Sequence, residues 1–232
     1  MGKQSRRKLE GRRQVAGPLS FAPRTPLLAR LFDASTPRQQ WEIATNHEAI
    51  RERARENRAN ALSSEALALS WHFALDGNIE RSKEHDPNAK RITCSKGCSA
   101  CCHQEAVATP DEADLLARAV RLGGVSINRE RLIRQSQAPT FDALAHADKA
   151  CAFLLPSGEC GVYQLRPATC RKYFVVSDPA DCDIEKRPGQ RVLNWISASA
   201  ETLTSACFTE FGSRPLWELM AERLQLQEDP QP

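Results

Sequence analysis

The sequence predicts a mainly α-helical fold with one small β-hairpin, and three observations carry that prediction. Apolar residues recur at three- and four-residue spacing over long stretches, the period of a helix with one buried side. Helix-start signals stand ahead of several such stretches, Thr36-Pro37 and Thr109-Pro110-Asp111-Glu112 among them. Only one segment, Cys151 to Tyr163, reads as strand, turn and strand. With 232 residues, 41% hydrophobic and 26% charged, the chain can bury a core as one domain or two small ones.

Taken in order, residues 1–35 read as a basic, disordered leader and linker, punctuated by Gly11, Gly17, Pro18, Pro23 and Pro26. Leu27, Leu28, Leu31 and Phe32 offer one docking turn within it. Residues 36–90 form a helical N-terminal segment: Thr36 caps, Pro37 takes the first helical position, and the helical pattern runs to Asp76-Gly77-Asn78. One stripe holds Leu62, Ala66, Leu69 and Phe73, with Leu67, Trp71 and Leu75 beside it, and together they predict a wide buried face. Residues 78–91 read as a polar connector.

Residues 91–227 form the third part, a cysteine-rich domain with C-terminal helices. Thr109 and Glu112 make a capping box for a helix carrying Leu115, Leu116, Ala119 and Val120, which stops at Gly123-Gly124. Ser126 or Asn128 opens another through Ile133, and Thr140 caps a short one. Pro156-Ser157-Gly158 turns the hairpin, and Arg166 to Cys170 begins a helical turn. Val192 to Phe211 reads as a helix, Pro215 starts the last one, and residues 228–232 should fray.

The net charge of +3 hides an asymmetry. Residues 1–13 carry six basic side chains against Glu10, so the remainder holds 26 basic and 28 acidic groups and is close to neutral. The leader's composition favours a solubilising tail over contact with nucleic acid. No apolar run approaches the roughly 18 residues of a membrane helix, and no secretory signal is visible, so the expectation is an intracellular, cytoplasmic protein that does not engage a membrane.

In such a compartment structural disulfides are disfavoured, and nine cysteines cannot all pair. Eight of them lie between Cys94 and Cys182: Cys94, Cys98, Cys101 and Cys102, then Cys151, Cys160, Cys170 and Cys182. Thiolates are soft ligands for zinc, iron or an iron–sulfur cluster, and Cys98-x-x-Cys101 is a chelating spacing. The eight could fill two four-coordinate sites or hold one cluster with spare ligands. Adjacent Cys101 and Cys102 diverge and are poorly placed to share an ion. Cys207, within an apolar helix stripe, reads as a small buried hydrophobe.

Cys94-x-x-x-Cys98-x-x-Cys101 also has the spacing of the radical SAM cluster loop. Ala100 stands where that family carries an aromatic residue, and the alternating strands and helices of a partial barrel are lacking. There is no Gly-rich phosphate loop, GxSxG or HExxH. His103 reads as a surface or supporting histidine, and His47, His72, His85 and His146 as ordinary ones. Tyr163, Arg166 and Arg171 fit equally the packing of the hairpin and hydrogen bonding to thiolates or an anion.

Two pieces together resemble the YkgJ-type cysteine-cluster proteins, a zinc- or iron-chelating domain named for its CxxCxxCC motif. One is Gly97-Cys98-Ser-Ala-Cys101-Cys102. The other is Cys151-x-Phe-Leu, Gly158-x-Cys160-x-Val-Tyr163 and Arg166-Pro167-x-x-Cys170-Arg171. The sequence departs from the family spacing in placing three residues, not two, between Cys94 and Cys98. The resemblance implies metal binding by the eight cysteines and leaves substrate and partner, protein or small molecule, open. Some relatives are linked to protein methylation, which makes an iron–sulfur enzyme or accessory of SAM-dependent modification the alternative expectation.

Overall fold

The computed structural model describes residues 21–226, so the expectations for the first 20 residues and for 228–232 lie outside it. The helices are α1 (Pro26–Asp33), α2 (Pro37–Asn60), α3 (Ser64–His85), α4 (Pro110–Arg121), α5 (Arg129–Gln137), α6 (His146–Lys149), α7 (Ala168–Arg171), α8 (Ala198–Phe211) and α9 (Leu216–Arg223). Four two-residue strands accompany them: β1 (Val107–Ala108), β2 (Phe174–Val175), β3 (Asn194–Trp195) and β4 (Arg214–Pro215). β1 pairs antiparallel with β4, and β2 with β3. The helical class is as expected. Among the described residues no helix is long and apolar enough to cross a membrane.

Two apolar clusters hold the helices together. In the first, Leu67, Trp71, Leu75 and Ile79 of α3 meet Leu203, Cys207, Phe208 and Phe211 of α8, with Trp195 beside them. In the second, Leu116 of α4, Leu132 of α5 and Leu216, Leu219 and Met220 of α9 enclose Phe153 and Val162 from the hairpin segment. Removing each such large side chain from water stabilises the fold by about 1.5–3 kcal/mol. The cysteine-bearing loops lie on this frame.

Several boundaries differ from the sequence pattern for identifiable reasons. The long N-terminal helix breaks at 61–63 because the Ser63 hydroxyl accepts from the Ala66 N–H and starts α3 afresh. α3 then runs through Asp76-Gly77-Asn78 to His85, so most of the expected connector is helical. A mid-helix glycine costs about 1 kcal/mol, and burying Ile79 one turn further offsets it. The expected broad face is narrow: Leu67, Trp71 and Leu75 are buried, while Leu62 and Phe73 are 99% and 83% exposed.

The hairpin strands reduce to a single bridge between Leu154 and Cys160. Leu155 N–H donates to the Glu159 carbonyl and Gly161 N–H to the Phe153 carbonyl, both at 2.9 Å, closing a tight loop with Gly158 at φ +80°. Residues 192–197 are not helical, because Asn194 and Trp195 pair with β2 and the Ser197 hydroxyl caps α8 by accepting from Ala200 N–H. Order also begins before Thr36. Thr25 caps α1 and donates to Glu201 Oε2 at 2.8 Å, Leu28 is fully buried, and Lys172 Nζ meets the other Glu201 oxygen at 2.6 Å.

Candidate metal centre

Four segments bring the eight cysteines together. The first loop is fixed at its start by Thr93 N–H on the Val175 carbonyl (3.0 Å) and by Val175 N–H on Cys94 Sγ (3.3 Å). A 3-10 turn over Ala100–His103 carries Cys101 and Cys102, whose thiols hydrogen-bond to each other. Cys151 N–H donates to the Cys102 carbonyl at 2.7 Å, docking the second segment onto the first. The tip of the hairpin abuts the same loop, for a Cβ on Gly158 would stand 3.7 Å from the Gly97 carbonyl.

Cys170 sits on α7, whose first N–H, on Ala168, donates to Glu112 Oε1 at 2.7 Å. Glu112 also accepts from Thr109 N–H at 2.8 Å and meets His72 Nε2 at 2.7 Å, so one buried carboxylate ties α3, α4 and α7 together. His72, read as ordinary, is part of that support. Cys182 ends a 3-10 turn over Pro179–Cys182, and its carbonyl accepts from Gln104 Nε2 at 2.6 Å.

The thiols fall into two electrostatic neighbourhoods. Burial, then Cys98 and Cys101, raise Cys94. Burial raises Cys182 to about 11, with Cys101, Cys94 and Cys98 acting in the same direction. In the other neighbourhood burial raises Cys151 to about 11, with Cys160 and Cys101 adding to it, and burial and Cys101 raise Cys160. Burial likewise raises Cys170, which feels Cys151, Cys101 and Cys160. Cys102 belongs here: its contact with Cys101, burial, and then Cys151 and Cys170 push it well above the ordinary thiol. Cys101 faces both groups, and the hydrogen bond from Cys102 brings it down to about 7.

Eight thiolates in this space repel one another, and a soft cation relieves that repulsion. The donor set therefore fits zinc or iron. Among the described residues no three sulfurs lie within 4.8 Å of one another, whereas a tetrahedral thiolate site holds them about 3.8 Å apart. All nine cysteines are free thiols, and Cys207 is buried in the first apolar cluster as expected.

The residues around the thiols take distinct parts. Arg166 lies over the Tyr163 ring at 4.0 Å, its buried Nε lacks a hydrogen-bond partner, and its charge acts on Cys101, Cys160 and Cys170. Arg171 instead braces the fold, bonding Asp76 at 2.7 Å and the carbonyls of Arg166 and Gln164. Two supports escaped the sequence reading. Tyr173 donates to Cys182, and Arg131 reaches the Cys151 carbonyl at 3.2 Å. His103 and His146 stack in parallel with ring centres 4.9 Å apart, and His146 Nε2 bonds Asp183 at 2.9 Å. No local sequence pattern joins those three residues.

No curated protein and no solved structure matches the chain. Residues 93–192, which include all eight clustered cysteines, match the family model described as "CxxCxxCC: Putative zinc- or iron-chelating domain".

Proposed function

We propose that this protein binds zinc or iron through eight cysteines arranged as two four-thiolate groups. Cys94, Cys98, Cys101 and Cys182 make one group, and Cys102, Cys151, Cys160 and Cys170 the other. What supports this reading is that Cys94 and Cys182 feel Cys98 and Cys101, that Cys102 and Cys170 feel Cys151, and that the hydrogen-bonded Cys101–Cys102 pair stands between the two sets. In this arrangement each member of the pair serves a different group, so no ion has two adjacent ligands.

Four thiolates fill a tetrahedral shell, so each bound ion supplies a cross-link between segments. The chain's own residues do the rest. Cys182 and Cys170 tie the later segments to the Cys94–Cys102 loop, Arg166 offsets part of the thiolate charge, and Tyr173 holds Cys182. The free thiols accord with a reducing, intracellular setting. A structural or binding module for a protein or small-molecule partner is the role this arrangement favours.

Cobalt(II) titration of metal-free protein under anaerobic conditions tests the reading. Thiolate-to-cobalt charge-transfer absorption should rise linearly to two ions per chain. A break at one ion, or no such absorption, would overturn the two-group arrangement.

A further inference from the structure

A second cluster of metal-ligating side chains stands beside the cysteines. One donor atom from each of His103, His146 and Asp183 lies within 4.8 Å of the other two. His146 Nε2 is 2.9 and 3.1 Å from the two Asp183 oxygens, and the stacked imidazole planes are within 7° of parallel. Donor atoms around a first-row ion are about 3–3.5 Å apart when the bonds are about 2.0–2.2 Å. The His146–Asp183 pair is already at that spacing, and the His103 donor lies within 4.8 Å of both.

The three residues come from three segments that are held in place independently. Gln104, next to His103, donates to the Cys182 carbonyl at 2.6 Å and so clamps the His103 segment to the Asp183 segment. His146 begins α6, which packs on the Ala100–His103 turn. His103 Nδ1 lies 3.3 Å from the Ser99 carbonyl, which can only accept. That contact makes Nδ1 the protonated nitrogen and leaves Nε2 with its lone pair, the usual preparation of a histidine ligand.

Asp183 is buried and accepts from the Lys186 N–H at 3.3 Å. Lys186 Nζ also reaches Asp183 at 3.2 Å, but that side chain is largely exposed and free to leave. His103 and Asp183 line an open cleft of about 830 Å³, together with Lys149, Lys172 and Tyr173.

We propose that His103, His146 and Asp183 form a second metal site, separate from the cysteine groups, for the divalent first-row ion manganese(II). Two imidazoles and one carboxylate are a harder donor set than thiolates and suit such ions. Three protein ligands leave coordination positions for solvent or a small oxygen-donor ligand entering from the cleft.

Manganese(II) tests the site because it avoids thiolate donors. The probe is added to full-length protein purified without oxygen and carrying its native metal, and the EPR signal of free aqueous manganese(II) reports binding. Wild type should bind one manganese(II) per chain. His146→Ala and Asp183→Asn should each weaken binding at least tenfold while zinc, iron and the circular dichroism spectrum stay as in wild type. No binding by folded wild type, or undiminished binding by both variants, would overturn the site. Zinc and iron content reports on the cysteine groups separately, so failure of one proposal is distinguishable from failure of the other.

Discussion

The Cys151 N–H donates to the Cys102 carbonyl at 2.7 Å, and that bond brings the two halves of the cysteine cluster into register. Cys102 thereby faces Cys151 and Cys170, while Cys101, one residue earlier, also faces Cys94 and Cys182.

Single substitutions should therefore divide the metal. Cys182→Ser should lower thiolate-bound metal from about two ions per chain to about one, and Cys170→Ser should do the same through the other group. The double variant should bind none. Cys207→Ser should retain both ions and cost roughly 1–3 kcal/mol of stability, because a hydroxyl replaces a thiol in an apolar cluster. Metal analysis with denaturant unfolding reads both effects.

Metal affinity should rise with pH. Burial holds Cys151 and Cys182 each at about 11, so both carry protons in the metal-free protein at neutral pH. Binding requires the thiolate, so each displaces a proton, and raising the pH removes that competition. Competition with a chromophoric chelator between pH 6 and 8 should show about a tenfold gain per pH unit for each proton released. A flat profile would mean that these two thiols are not ligands.

Arg166 should tune the centre without being a ligand. Its guanidinium acts on three thiols and rests on the Tyr163 ring. Replacing a supporting group of this kind weakens metal binding by about 10–100-fold. Arg166→Met should fall in that range with unchanged stoichiometry, and Arg166→Lys should recover part of the loss.

Glu112 should matter through the fold. Glu112→Ala leaves the Thr109 and Ala168 N–H groups and His72 without their partner. Losing one side of such a buried network costs about 3–5 kcal/mol. Urea unfolding of the metal-loaded protein should show that shift. Gly77→Ala should act oppositely and add about 0.5–1 kcal/mol, because the only close atoms belong to the flexible Arg81 side chain.

Caps and punctuation made much of the helical frame legible. Thr36, Thr109, Asn128 and Thr140 each cap as their residue types predict, and Gly123 follows α4. Where a local signal competed with a tertiary one, the tertiary one prevailed. Gly77 reads as a stop, yet Ile79 must reach the core, and Leu193 and Ile196 read as helix, yet their segment pairs with β2. The eight cysteines were visible from their spacing. Their proposed division was not, because it rests on which segments meet in space, as at the Cys151–Cys102 contact. His103, His146 and Asp183 lie too far apart in sequence for any period to connect them, and only the Gln104 clamp and the placement of α6 bring them together.

The most direct test of the central claim is the zinc, iron and acid-labile sulfide content of protein purified without oxygen. Two thiolate-bound zinc or iron ions per chain, with no matching sulfide, is the predicted result. No bound metal, or three to four irons with an equal amount of sulfide, would contradict two four-thiolate sites.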